Sequence, residues 1–159
     1  MKEWLVVDGY NVINSWQDFR KFREENLEHA RELLKEKLAE YIAFKGYSGI
    51  VVFDAQEVQG VASFEKNGAL EIVFTNEGET ADSWIERLVY DLVKSGSSVF
   101  VVTSDYAEQL NVLGSGAYRI SAREFREEYL LTKKQIAQRS ERLARGCLLY
   151  TSPSPRDTR

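Results

Sequence analysis

Trp4-Leu5-Val6-Val7-Asp8-Gly9-Tyr10-Asn11-Val12-Ile13-Asn14 is a short apolar run that stops abruptly at an aspartate and a glycine. The same pattern returns at Ile50-Val51-Val52-Phe53-Asp54 and at Val99-Phe100-Val101-Val102-Thr103-Ser104-Asp105. A fourth aspartate, Asp82, opens a helix-like stretch after Leu70-Glu71-Ile72-Val73-Phe74-Thr75. Short β-branched runs that alternate with helical patterns read as an α/β domain with a parallel sheet. In such sheets the carboxyl ends of the strands share one edge, and ligands bind there. Acids far apart in the chain therefore converge in space. Packed like charges repel, so a carboxylate cluster calls for a cation.

Around these runs the pattern predicts strands over 3–7, 50–53, 70–74, 99–102 and 118–120, with 8–16 as a loop. Leu27, Ala30, Leu34, Leu38, Tyr41 and Ile42 recur at helical spacing, and Gly46 and Gly49 end that helix. Asn67-Gly68 is a turn signal, which leaves Val61–Glu65 either paired with the next strand or irregular. A helix is expected from Thr80 to Lys94, ending near Gly96, and a short one from Tyr106 to Leu113. Ser121-Ala122-Arg123-Glu124 fits a capping box, with Ser and Glu each satisfying the other's amide at the start of a helix.

The 159 residues suffice for one domain with a real core. No stretch approaches the roughly 18 unbroken apolar residues of a membrane span, so no membrane partner is expected. A strand beginning at once leaves no room for a signal peptide, and cytoplasmic residence is expected. One cysteine and one histidine argue against disulfides and against a zinc site of His and Cys ligands. Lys133, Lys134, Arg139, Arg142 and Arg145 face only Glu141 in an otherwise acidic chain, the pattern of a protein that handles polyanions locally or of a solvated helix face. The segment 147–159 holds both prolines and the lone cysteine. So sharp a break reads as a non-native tail, and the domain is drawn at 1–146, ending in a basic helix.

Each acid also has a plain structural reading. Asp8-Gly9 is a common turn, and Asp105 is an ordinary helix N-cap. Glu77, Glu79 and Asp82 stand before or within a first helical turn, where the dipole favours negative charge. Asp82 is the least explained this way, because Thr80 already supplies the cap. Taken together, hard oxygen ligands select Mg²⁺ or Mn²⁺. Such an ion acidifies water and neutralises charge on a phosphodiester under in-line attack, with no protein nucleophile required. P-loop and dinucleotide fingerprints are absent, so no small-molecule cofactor is expected. His29, between Glu28 and Arg31, reads as a surface residue, whereas Tyr10 and Trp16 on the first loop are placed to stack on bases.

Val7-Asp8-Gly9-Tyr10-Asn11-Val12-Ile13-Asn14, Val52-Phe53-Asp54-Ala55, Phe74-Thr75 with Gly78-Glu79-Thr80-Ala81-Asp82, Val102-Thr103-Ser104-Asp105 and Arg119-Ile120-Ser121-Ala122-Arg123-Glu124 stand in order along the chain. In these motifs the chain resembles the YacP-type NYN domains of the PIN-like nuclease group, from its first strand to about Arg145. The resemblance implies a PIN-like, Rossmann-like three-layer fold with a central, mostly parallel sheet flanked by helices. It also implies a bacterial, divalent-metal endoribonuclease, in a family associated with ribosome-dependent mRNA cleavage. Asp8, Asp82 and Asp105 would be the catalytic, metal-binding acids, with Asn11, Asp54, Glu79 and Ser104 in support. Lys133, Lys134, Arg139 and Arg142 would grip the RNA backbone. Family members carry a longer basic C-terminal helix, in whose place this chain has its odd tail. Two rivals stand beside this reading. One is a non-catalytic RNA- or ribosome-binding adaptor on the same fold. The other is a phosphotransfer receiver-like domain, which would want paired acids after the first strand and a lysine after the last.

Overall fold

The computed structural model describes residues 2–54, 63–104, 114 and 116–151. Its strands are β1 (Glu3–Asp8), β2 (Ser48–Phe53), β3 (Ser63–Asn67), β4 (Leu70–Phe74), β5 (Ser98–Val102) and β6 (Tyr118–Ile120). Its helices are α1 (Gly9–Ser15), α2 (Leu27–Lys45), α3 (Ala81–Lys94) and α4 (Ala122–Thr151), with a 3-10 turn at Gln17–Phe19. The strands form one sheet in the order β3-β4-β2-β1-β5-β6. All neighbours pair parallel except β3 and β4, whose hairpin closes at Asn67-Gly68 with Gly68 at φ 62°.

Strand alternation divides the core. Leu5, Val7, Val51, Phe53, Ile72, Phe74 and Val102 face α1, α2 and the first turns of α4. Val6, Ile50, Val52, Val73, Val99 and Val101 face α3, against Ala81, Ile85 and Val89. Both faces are thus buried, which is why the central strands read as unbroken apolar runs rather than alternating ones. Caps fix the helix ends. Asn26 accepts from the His29 amide at 3.1 Å to begin α2, and Gly46 ends it in the left-handed region at φ 76°. Ser121 and Glu124 close their reciprocal capping box at 2.9 and 3.0 Å to begin α4. From Lys133 to Arg145, α4 is almost wholly exposed. No helix among the described residues is long and apolar enough to cross a membrane.

The expected loop over 8–16 is instead mostly helix. Gly9 and the two asparagines are poor helix formers, but burying Tyr10, Val12 and Ile13 outweighs that local bias. Gly9 serves packing here, since a Cβ at this position would overlap the Phe53 ring. Trp16 and Tyr10 are buried, at 1% and 8% exposure, and so are not placed to stack on bases. The Trp16 indole lies against Phe19, Phe125 and Tyr129, and its Nε1 donates to the Ala122 carbonyl at 2.8 Å. β3 resolves the open alternative: Glu65 pairs with Ile72, and residues 61 and 62 lie outside the described residues. The helix expected over 106–113 falls outside them as well.

Candidate active site

The chain leaves β1 by way of α1 and α2 to reach β2 on one side, then returns from β4 through α3 to β5 on the other. The order therefore reverses between β1 and β5, and α2 and α3 lie on opposite faces. Such a switch point leaves a crevice outside the carboxyl ends of the two strands, the usual ligand position in open α/β sheets. Asp8 ends β1 there, and Thr103 and Ser104 follow β5 there.

Register places the rim residues together. Val7 lies level with Val51 on one side and Val102 on the other, and Phe53 lies level with Phe74. Two residues beyond Val6, alternation puts Asp8 on the α3 face of the sheet. Asp54, just past β2, reaches the same face, for its Oδ2 accepts from the Ala81 amide of α3 at 3.3 Å. Thr75 turns its hydroxyl to the Glu79 carbonyl at 2.8 Å, and Thr103 is fully buried. Thr80 caps α3 by accepting from the Ser83 amide at 3.1 Å, so Asp82 is spared that task. Asp82 projects from the first turn with its Oδ1 shielded from water. Buried carboxylate oxygen next to a helix N-terminus and a second carboxylate-bearing strand end is costly unless positive charge or donors meet it.

Across the crevice, Asn11 Oδ1 accepts from the Ser104 amide at 2.8 Å, and Ser104 Oγ accepts from the Ala122 amide at 3.1 Å. Asn11 thus ties α1 to the end of β5, and Ser104 ties that end to α4. Glu79 is turned to the side: it accepts from the Asn76 amide at 3.4 Å and pairs with Arg87. The Arg87 hydrogen bond holds its carboxyl below the ordinary value of 4.5. Asp105 lies outside the described residues. Among the described residues no three His, Cys, Asp or Glu side chains form a group able to hold a metal ion. The rim donors are nonetheless all hard oxygens, the set that Mg²⁺ and Mn²⁺ take.

The basic residues of α4 stand apart from this rim. Lys133 pairs with Glu40 of α2 at 3.1 Å, and the Arg139 guanidinium lies 5.9 Å from the Phe44 ring centroid. Lys134 and Arg142 are exposed. His29 is exposed with its ring against Phe22, as a surface residue should be. One rim cation went unremarked in the sequence. Arg31 of α2 donates from Nη1 to the Tyr10 hydroxyl at 3.1 Å, with its guanidinium 5.9 Å from the Phe74 ring centroid. Its signal was weak but present: Arg31 and Lys35 follow the buried Ala30 and Leu34, so two basic residues one turn apart border the apolar stripe.

Residues 5–147 match the YacP-like NYN domain family. The protein YacP of Bacillus subtilis (strain 168) is 40% identical over 139 residues, covering 87% of this chain and 82% of its own. The crystal structure of Rae1 (YacP) from Bacillus subtilis superposes with a TM-score of 0.79 at 39% identity, covering 92% of this chain and 83% of that one. A single-substitution variant of the same protein gives a TM-score of 0.78 at 38% identity, with coverages of 89% and 84%. The chain belongs to the YacP-like NYN domain family and has its PIN-like, nuclease-type α/β fold.

Proposed function

We propose that the protein is a divalent-metal-dependent endoribonuclease that cleaves mRNA in association with the ribosome, working in the cytoplasm. The observation that carries this reading is the hydrogen bond from the first amide of α3, the helix that bears Asp82, to Asp54 at the end of β2, beside the switch point where Asp8 ends β1. Asp8 and Asp82, with Asp105, would hold Mg²⁺ or Mn²⁺. When bound, the ion supplies Lewis acidity that neutralises charge on the phosphodiester and makes water a stronger acid.

The chain's own residues do the rest. Asp54 fixes the first amide of α3 and thereby the direction in which Asp82 points. Asn11 and Ser104 brace the end of β5 against α1 and α4. Ser104, exposed, would meet a phosphate oxygen. Lys134 and Arg142, exposed on α4, add backbone contacts that confer affinity without sequence readout and weaken with salt.

Purified protein incubated with mRNA, with and without ribosomes, in Mn²⁺ or in EDTA tests the reading. Scission in Mn²⁺ that EDTA abolishes is the expected result. RNA binding that survives EDTA with no scission under any condition overturns it in favour of an adaptor.

A further inference from the structure

Among the described residues, basic side chains that meet a polar side chain mostly answer a carboxylate. Lys35 meets Glu32 and Glu65, Lys45 meets Glu128, Arg126 meets Asp18, and Lys133 meets Glu40. Arg31 differs. Among the described residues its guanidinium is placed by a phenol and an aromatic ring, Tyr10 and Phe74, rather than by an acid. Neither partner neutralises it, and the half-buried side chain keeps a face open to solvent.

Its position ties it to the rim. Phe74 is the last residue of β4, and Phe53 the last of β2. Tyr10 stands two residues beyond Asp8. Their rings form a continuous shelf, with Tyr10 and Phe53 at 5.1 Å and Phe53 and Phe74 at 5.3 Å between centroids. Each ring belongs to a residue at or next to a carboxyl end of the sheet, on the α2 side. The shelf and the acids thus share one edge from opposite faces. A guanidinium already placed by a phenol hydrogen bond and a ring contact gives up little further freedom on binding, and its fork matches two oxygens of a phosphate.

We propose that Arg31, aimed by Tyr10 and Phe74, binds a backbone phosphate of the RNA beside the linkage that is cut. This rests on the nuclease reading and adds to it a phosphate subsite on the α2 side of the rim, separate from the basic helix α4. Among the described residues Arg31 has no ion pair to break, whereas Lys133 would first have to leave Glu40.

The test measures binding of a short single-stranded RNA oligomer in EDTA by fluorescence anisotropy, across a salt series, for the wild type and Arg31→Met. Loss of one phosphate contact predicts affinity lower by about tenfold, with the slope of log affinity against log salt reduced by about 0.7. Should Arg31→Met melt early, the uncharged but polar Arg31→Gln gives the same comparison. A wild type that binds and cleaves RNA, with a folded Arg31 variant of equal affinity and slope, overturns this inference and leaves the nuclease standing. A wild type that neither binds nor cleaves RNA overturns both.

Discussion

Trp16→Phe isolates what the buried indole does. Trp16 is 1% exposed and its Nε1 donates to the carbonyl of Ala122, a residue 106 positions away at the start of α4. Phenylalanine retains the ring contacts with Phe125 and Tyr129 in part, but loses the donor and the volume of the pyrrole ring. The hydrogen bond contributes about 1 kcal/mol, at the lower end for a buried bond because Ala122 also accepts within its helix. The unfilled volume costs about 1–2 kcal/mol more. A total of about 2–3 kcal/mol corresponds to a fall in melting temperature of roughly 5–10 °C for a domain of this size. Urea unfolding followed by circular dichroism reads this directly, with the midpoint lowered and the m-value unchanged. RNA affinity of the folded variant should match the wild type. A base stacked on Trp16 would instead forfeit about 1–3 kcal/mol of binding. Stability within about 0.5 kcal/mol of wild type, the usual scatter of surface substitutions, together with weakened RNA binding would refute the burial argument.

Gly9→Ala forces a methyl into the Phe53 ring, and overpacking of this kind costs about 1–3 kcal/mol, measurable by thermal melting. Asn11→Ala releases the Ser104 amide; because Ser104 is exposed and water can replace the acceptor, stability drops by only about 1 kcal/mol while RNA cleavage falls disproportionately. Equal and small losses in both would remove Asn11 from the bracing role. Acid should destabilise the fold through Asp18 and Glu124. Burial pushes the Asp18 carboxyl up, yet the Arg126 hydrogen bond and charge outweigh it and hold it below 3.8, while Ser121 holds Glu124 below 4.5. Both folded values are depressed, so their stabilisation is complete above about pH 4.5 and is lost as pH falls through the folded values. Melting temperature against pH checks the sign, and Glu124→Gln should flatten part of the acid limb.

What the sequence disclosed was what is local. The strand runs, the α2 stripe, the Thr80 cap and the Ser121–Glu124 box are each set by neighbours within a few residues, and each stands where it was expected. Helix α1 was hidden because Gly9, Asn11 and Asn14 favour turns, and only the distant Phe53 and α4 make its burial worthwhile. Trp16 misled for the same reason, since its partner Ala122 is remote in the chain. At the site, residue identity announced the acids, but not which carboxylates are otherwise engaged. Asp54 is bonded to the α3 amide and Glu79 is drawn off to Arg87, pairings that spacing alone does not encode. Lys133 was read as gripping the RNA backbone, and spacing did not disclose its ion pair with Glu40 on another helix.

Whether Asp8, Asp82 and Asp105 converge on one cation is tested most directly by Mn²⁺ titration, followed through the loss of the free-ion electron paramagnetic resonance signal. Wild-type protein should bind Mn²⁺ at a site that Asp8→Asn and Asp82→Asn each weaken at least about tenfold without lowering the melting temperature, because an amide of nearly equal shape is a poorer ligand for a hard cation. Mn²⁺ binding of the same strength in both variants, or none in the wild type, would contradict it.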